Sequence, residues 1–540
     1  MDSKAIENGD KTSFLVEDQH RLSASLLWRL QRKFFSEQSI EAWRQNIVPH
    51  YITSNTFIAQ AYARLVFGYL RDLASDTRHP LDAAQPVYVL ELGAGSGRFS
   101  YHFLKKFFAI WQQSSLAHIA VTYVMSDFCE QNLTFWRQHP LLQSYIEQGC
   151  LDFALVDASA PQDIVLQHCG ATLSGATLKN PLVTIANYVF DSIEQDAFYV
   201  DGGVLHESLV SLHSPQPEHD LADVTLLQRL QPRYAHVPAT SVYYPEPELN
   251  QLLAYYQAHL VDSHVLLPVQ MLRCLAHLRH ISGNRMLLIT GDKGYSREEQ
   301  LLFRREAHIV KHGSVSLMVN YHALAQYTAG QGGLFLAAPQ RRQDLYICAS
   351  VFDVEPLEQS GLRARRFVET RQAFNEHINC LSPDDFYQFK KFIQENAQSL
   401  TLRQLLSYLR LSGWDAANFW ACLPSLMQLA ETLAGEDTRD VAEMVEQVWD
   451  NYFPLGEERD LAYVLAGLLY EIECYPEAIC YLQHSRRLYG DDAGTLYNLS
   501  MCHYNLRQLP QALDYIHQAL SLDAGYEPAR IMLIAISSER

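Results

Sequence analysis

The stretch Val87-Tyr88-Val89-Leu90-Glu91-Leu92-Gly93-Ala94-Gly95-Ser96-Gly97 reads as a buried strand, a glycine turn and the start of a helix that runs on from Phe99. The run from Val87 to Leu90 is short and apolar, as a strand covered on both faces requires. The three glycines let the chain turn through conformations closed to other residues and let a ligand approach the backbone. A dinucleotide fingerprint needs a third glycine at position 98, where Arg98 stands, and no Gly-Lys-Ser/Thr follows to cradle phosphates. Glu91 precedes the first glycine by two residues; a carboxylate there suits a ligand bearing an ammonium group and repels pyrophosphate.

Outward from this turn, helical spacing over 20–46 and 55–75 gives way to strand candidates at 120–125, 153–156, 182–186 and 286–289, most separated by helical stretches. That alternation predicts an α/β fold with a mostly parallel, Rossmann-like sheet and helices on both faces. Polar residues stand at successive strand ends: Asp127, then Asp157-Ala158, then Asn187. Taken alone, Asp127 reads equally well as the cap of the next helix, and Asp157 as a solvated loop residue.

The pattern E-x-G-x-G-x-G at residues 91–97 resembles motif I of class I methyltransferases. The resemblance implies S-adenosylmethionine as cofactor, bound by Glu91, Gly93, Gly95 and Gly97, with Asp127 on the ribose hydroxyls, Asp157 and Ala158 at the adenine, and Asn187 beside the methyl group. Under this reading Asp127→Ala weakens cofactor binding and leaves the stability of the cofactor-free protein nearly unchanged.

The residues resemble one family in particular, the MidA-like methyltransferases, which include a mitochondrial respiratory complex I assembly factor. His50-Tyr51-Ile52-Thr53-Ser54, residues 91–97, Ala186-Asn187 with Asp191, Asp292-Lys293-Gly294-Tyr295 and Val319-Asn320-Tyr321-His322-Ala323-Leu324 carry the likeness, over roughly residues 40–350. It implies that Thr53 and Ser54 belong to the cofactor site and that the acceptor is a protein arginine. Two departures bear on this: Tyr188 replaces the acidic residue that usually follows the asparagine, and Lys293 stands where an aromatic is usual. Guanidinium capture needs paired carboxylates, and Asp191 with Glu194, at i,i+3 if a helix begins there, are the nearest candidates for substrate binding. Asn187, Tyr188, Asp191 and His322 are the catalytic candidates. Tyr188 is placed to stack on a flat acceptor or serve as a weak base, and His322 reads either as a general base or as a hydrogen-bonded structural residue. The chemistry expected is in-line displacement, in which the enzyme aligns a nucleophile with an activated methyl group. No His/Cys/Asp/Glu spacing suggests a metal, and none is expected.

The proposed boundaries follow composition. Residues 1–12 are polar and predicted to be disordered; 13–350 form the methyltransferase domain; within it, 198–285 form an inserted subdomain, read as a cover over the substrate or as a peripheral extension. Pro356 and Gly361 mark a break, residues 351–455 read as a helical linking region, and 456–540 as tetratricopeptide-type repeats ending in a capping helix. Ala478 and Ala512, Leu465 and Leu499, Tyr470 and Tyr504, Leu482 and Ile516, and Ser485 and Ala519 each lie 34 apart, the tetratricopeptide period. Such repeats hold peptides or partner proteins, or mediate association into homo-oligomers.

A formal charge of −19 argues against nucleic acid and against an anionic membrane surface. No uncharged apolar run reaches the ~20 residues that span a bilayer, and the first residues lack a secretory signal, so the protein is expected in the cytoplasm. The ten cysteines form no CxxC pair and read as small buried hydrophobes rather than disulfides. The function expected is methyl transfer to a protein side chain recruited by the repeats. The competing readings are a cofactor-binding pseudo-enzyme scaffold and a small-molecule methyltransferase.

Overall fold

A computed structural model of the chain describes residues 5–6, 13–338, 344–355 and 366–538. The chain divides into two compact units, residues 1–386 and 387–540. The first unit is built on a seven-stranded sheet of β1 (Val87–Leu92), β2 (Val121–Asp127), β3 (Leu151–Leu155), β4 (Leu182–Asn187), β5 (Met286–Asp292), β6 (Leu334–Ala337) and β7 (Tyr346–Phe352). Its order is β3-β2-β1-β4-β5-β7-β6. Strands β1 to β5 are parallel, and β7 runs antiparallel between β5 and β6. This is the sheet of the class I methyltransferase fold. The order reverses between β1 and β4, and that reversal opens a crevice at the carboxyl ends of the strands.

The strands are near-continuous apolar runs because helices cover both faces: Val87, Val89, Leu90, Leu182, Val183 and Ile185 are all fully buried. Strands β1, β2, β4 and β5 run one to three residues beyond their apolar runs, whereas β3 ends one residue short, so Glu91, Asp127 and Asn187 belong to the sheet rather than to the loops after it. The helix Thr56–Ser75 agrees with the sequence reading to within a residue; Asn55 caps it, its side chain accepting from the Ile58 N–H at 3.0 Å. The stretch 20–46 breaks into the helix Leu26–Gln38 and a short turn, Glu41–Arg44.

The insertion after β4 contributes strands Asp196–Asp201, Val204–Ser214, Gln231–Pro238 and Ser263–Leu267 to a second, six-stranded sheet, which Ser13–His20 and Ala5–Ile6 complete. Of the first dozen residues, for which disorder is predicted, only Ala5–Ile6 are among those described, and they pair with the following strand. The boundary predicted at 350 falls inside β7, which ends at Phe352. Helices from Val368 to the unit's end at Phe386 also belong to the first unit rather than to a separate linking region.

The second unit is helical. Helices Leu461–Glu471, Tyr475–Tyr489, Ala493–Asn505 and Leu509–Leu522 make two antiparallel pairs, followed by Glu527–Ser538. Four of the five 34-residue matches are buried, as Leu465, Leu499, Ala478, Ala512, Leu482, Ile516, Ser485 and Ala519, while Tyr470 and Tyr504 are half-buried. The period extends to the backbone, since the turns inside the two pairs place Glu473 and Arg507, again 34 apart, in the left-handed region. No described helix is long and apolar enough to cross a membrane. All ten cysteines are free thiols; five are buried, but Cys169, Cys380 and Cys480 are exposed, so the expectation that all are core residues is corrected.

Candidate active site

The glycine turn after β1 adopts the strained geometry that its composition permits: Gly93, Gly95 and Gly97 all have positive φ, of 63°, 52° and 76°. Their surroundings differ. A Cβ on Gly93 would meet Val189 at 2.9 Å, and one on Gly95 would meet the Trp43 indole at 2.7 Å. One on Gly97 would meet Met125 and Trp136, inside the packing of the first unit. Gly97 lines neither of the cavities described next; it stands at the start of the helix Arg98–Trp111, with Met125 and Trp136 packed against it.

Two adjoining cavities lie over the turn. The first, of about 910 Å³ open to solvent, is lined by Thr53, Ser54, Glu91, Gly93, Gly95, Asn187, Tyr188, Asp191 and Lys293, among others. The second, of about 770 Å³, is lined by Arg32, Gly93, Asp127, Phe128, Asp157, Ala158, Tyr188 and Glu194, among others. Phe35, Trp43, Gly93, Tyr188 and Ser192 line both. Phe35 and Trp43 stand side by side, ring centroids 6.0 Å apart. The first cavity is lined in part by residues 35–54 and by His312, Ser314 and Ser316, and no lining residue of either cavity comes from 198–285.

Glu91 is buried, its carboxylate accepting from Tyr123 Oη at 2.8 Å and from Ser100 Oγ. Burial drives its carboxyl up to about 7 despite these two donors. A folded-state value above the usual one near 4.5 means that Glu91 adds stability below pH 4.5, and that this is lost as pH rises through 7. Glu91→Gln keeps an acceptor for both hydroxyls without the charge. It is therefore expected to stabilise the ligand-free protein by about 1–3 kcal/mol at pH 8 and hardly at all at pH 4.5. Urea unfolding at the two pH values checks this; equal effects at both would show that Glu91 does not titrate as its burial requires.

Asp127 accepts from the Cys129 N–H at 3.0 Å, Asn132 Nδ2 at 3.1 Å and the Gly95 N–H at 3.3 Å. Burial raises its carboxyl, and these donors oppose the rise. Asp127 thus pins the glycine turn and the start of the next helix while lining the second cavity. The expectation that Asp127→Ala spares stability is therefore revised. Three buried donors would lose their acceptor, and the ligand-free protein is expected to lose about 2–4 kcal/mol, measurable as a drop in Tm.

Asp157 lies where β3 delivers it, but it holds the guanidinium of Arg32 from the helix Leu26–Gln38, with Nη1–Oδ2 at 2.7 Å and Nη2–Oδ1 at 3.1 Å. Arg32 also reaches Glu194 at 3.4 Å, and Glu194 accepts from Ser159 Oγ. Asp191 and Glu194 therefore do not form the pair that the sequence suggests. Residues 191–195 are a turn rather than a helix, and Glu194 is already committed to a guanidinium of the chain itself.

The partner of Asp191 is Asp292, at the end of β5. Both carboxyls are buried, and each bears on the other's titration. Burial raises Asp191 to about 6 and, with the Asp191 charge, holds Asp292 well above the ordinary carboxylate range. Two such groups cannot both ionise in so dry a place. Asp292 Oδ1 has no hydrogen-bond partner among the described residues. Asp292 Oδ2 accepts from Tyr321 Oη at 3.2 Å. Beside them, Asn187 Oδ1 accepts from Tyr62 Oη at 2.8 Å, while Asn187 Nδ2 is buried with no acceptor among the described residues. Tyr188 takes φ 52°, an uncommon conformation for a bulky residue, and lines both cavities. Thr53 and Ser54 line the first cavity from the short helix Tyr51–Ser54.

His322 is not a base in this site. It lies in the helix Tyr321–Gly330, bonded to Tyr256 Oη at 3.1 Å and Gln326 at 3.3 Å, and lines neither cavity. Burial lowers its pKa, so it stays neutral as a packed hydrogen-bonding residue. Sequence reading missed Arg32, Trp43 and the role of Asp292. Of these only Asp292 carried a signal, as a carboxylate at the end of a predicted strand.

No family model and no curated protein matches the chain. Among solved structures, it is similar to an uncharacterised Burkholderia thailandensis protein at 13% identity, over 68% of this chain and 85% of that one, with a TM-score of 0.36. A second protein from Burkholderia thailandensis, described as a proposed methyl transferase bound to S-adenosyl-homocysteine, is also 13% identical, over 67% of this chain and 90% of that one, at a TM-score of 0.35. YrrB, a tetratricopeptide protein with an unusual peptide-binding site, is 20% identical over 31% of this chain and 81% of its own length, at a TM-score of 0.23.

Proposed function

We propose that this chain is an S-adenosylmethionine-dependent methyltransferase of the MidA-like kind, acting on a protein side chain that the C-terminal repeats recruit. The observation that carries the reading is the convergence of four parallel strand ends on one cleft: Glu91 and the glycine turn after β1, Asp127 of β2, Asp157 and Ala158 after β3, and Asn187 of β4. The cofactor supplies a methyl group already activated on a sulfonium, and the protein has to place it and keep water away.

The donor set fits that group. Glu91 offers a carboxylate to an ammonium at the wall of the first cavity, and Asp127 and Asp157 offer acceptors to hydroxyl and amino groups in the second. Gly93 lines both cavities, and a Cβ there would press on Val189 at 2.9 Å. Asn187 Nδ2 is a buried donor with no acceptor among the described residues. On the acceptor side, the buried Asp191 carboxyl at the wall of the first cavity gives the cleft a place to take a proton or to hold a cationic side chain. Arginine is favoured by the MidA-like resemblance; Tyr188, in the place of a carboxylate, weighs against it.

A second reading, a scaffold that has lost the chemistry, draws on a specific feature. Arg32 engages Asp157, and Trp43 covers the face of Gly95. Titration calorimetry with S-adenosylmethionine and S-adenosylhomocysteine separates the two readings. The enzyme reading requires binding in the micromolar range, and transfer of label from the cofactor to a protein in a lysate incubated with the purified chain. Absence of binding at millimolar cofactor would overturn it, and binding without transfer would leave the scaffold.

A further inference from the structure

On the second sheet, away from the cleft, His236 lies on the strand Gln231–Pro238, His264 on Ser263–Leu267, and Glu306 on the loop that follows Leu301. In sequence they are 28 and 42 residues apart, a spacing with no metal signature. In the fold, one donor atom from each lies within 4.8 Å of the others. His236 Nε2 and Glu306 Oε1 are 4.0 Å apart.

The surroundings hold these donors in place. Ser208, directly opposite His236 in the strand register, meets its Nδ1 at 3.1 Å, which leaves Nε2 for a ligand. Tyr199, opposite His264 in its own register, stacks on His264 at 4.5 Å and lies 4.8 Å from the His236 ring. The loop that carries Glu306 is fastened on both sides. The His264 N–H donates to the Arg304 carbonyl at 3.0 Å, Ser263 Oγ accepts from the Phe303 N–H at 2.8 Å, and Tyr234 Oη donates to the Ala307 carbonyl at 3.1 Å. Each strand that carries a histidine is thus tied to the loop that carries the carboxylate. Packing that fixes ligands from outside is what a metal site needs in order to bind without reorganising.

We propose that His236, His264 and Glu306 form a binding site for a divalent transition-metal ion of the zinc class. Two imidazoles and one carboxylate suit zinc or cobalt, whereas magnesium and calcium take oxygen ligands. Three protein ligands leave a coordination position for water or for a group from a bound molecule. His264 and Glu306, with Ser208, Tyr234 and Asn320, line a cavity of about 870 Å³ separate from the two over the glycine turn. An ion at this site clamps the 303–307 loop across two strands of the inserted sheet and leaves its open position accessible from that cavity.

The test is metal binding by the full chain, stripped with a chelator and titrated with Zn²⁺ against a chromophoric indicator, and separately with Co²⁺ while its visible absorption is recorded. One equivalent of Zn²⁺ is expected, with Co²⁺ bands of a four- or five-coordinate ion and a rise in Tm. Glu306→Gln, on an exposed loop where folding is not at stake, should weaken Zn²⁺ binding by at least 10–100-fold, as should His264→Gln. Ser208→Ala should weaken it about 10-fold, the usual effect of losing a residue that orients a ligand. His219→Gln, an exposed histidine outside the cluster, should change nothing. Failure to bind an equivalent at micromolar Zn²⁺ would overturn the proposal. So would undiminished binding in the doubly substituted His236→Gln, His264→Gln chain, which would place the ion elsewhere.

Discussion

Gly93→Val is expected to remove S-adenosylmethionine binding, lowering affinity by at least 100-fold, or about 3 kcal/mol. Gly93 has φ 63°, and a Cβ there lies 2.9 Å from Val189, so a branched side chain is strained before any ligand arrives. It also lines both cavities, so its side chain would stand at their junction. Gly97→Val should behave differently. Its Cβ meets Met125 and Trp136 rather than the cleft, so the Tm should fall while the folded fraction keeps most of its affinity. Calorimetry on both variants, with circular dichroism melts as the folding control, distinguishes them. Tight binding by a folded Gly93→Val protein would move the cofactor away from this turn.

The strand ends were legible in the sequence because each is a local pattern: an apolar run, then a polar residue, then a helical period. The glycine turn was legible because positive φ selects glycine, and the repeats because Ala478 and Ala512 recur at a spacing that packing imposes. What escaped has the opposite character. Arg32 and Asp157 are 125 residues apart, and nothing local to either announces the ion pair. The Asp191–Glu194 pair failed because the helix that would align them is a turn, and Arg32 took the glutamate. Asp191 instead found Asp292, 101 residues away, because β4 and β5 are neighbours in the sheet, and adjacency is invisible until the strand order is known. Trp43 lies in a stretch read only as helical, yet it covers Gly95. The His236, His264 and Glu306 cluster depends in the same way on a sheet register that the sequence does not display.

The second large effect is expected at Asp191. Under the proposed methyl transfer, Asp191 and Glu91 are two carboxyls lining the first cavity whose burial brings their titration toward neutral pH, and Asp191 is the one that stands with Asp292 and Lys293. Burial raises Asp191 to about 6, and Asp292 stays protonated beyond that. If Asp191 takes the acceptor's proton or holds its cationic form, it must be ionised to act. Turnover should then rise with pH through about 6 and level off above 7. Asp191→Asn removes the charge and keeps the shape, so it should lower kcat by about 10²–10⁴-fold. The rise near pH 6 should disappear in what activity remains, while the dissociation constant for the cofactor moves by no more than a few-fold. That separation is the informative part. Asp191 accepts a hydrogen bond from Ser192 Oγ at 2.8 Å, and its backbone carbonyl receives the Leu317 N–H at 2.9 Å, so a merely structural role is a real competitor. A structural residue would lower kcat and cofactor affinity together and would leave the shape of the pH profile intact. An unchanged acid limb in Asp191→Asn would take proton handling away from Asp191 and leave it to Glu91 or Tyr188, which also line the cleft.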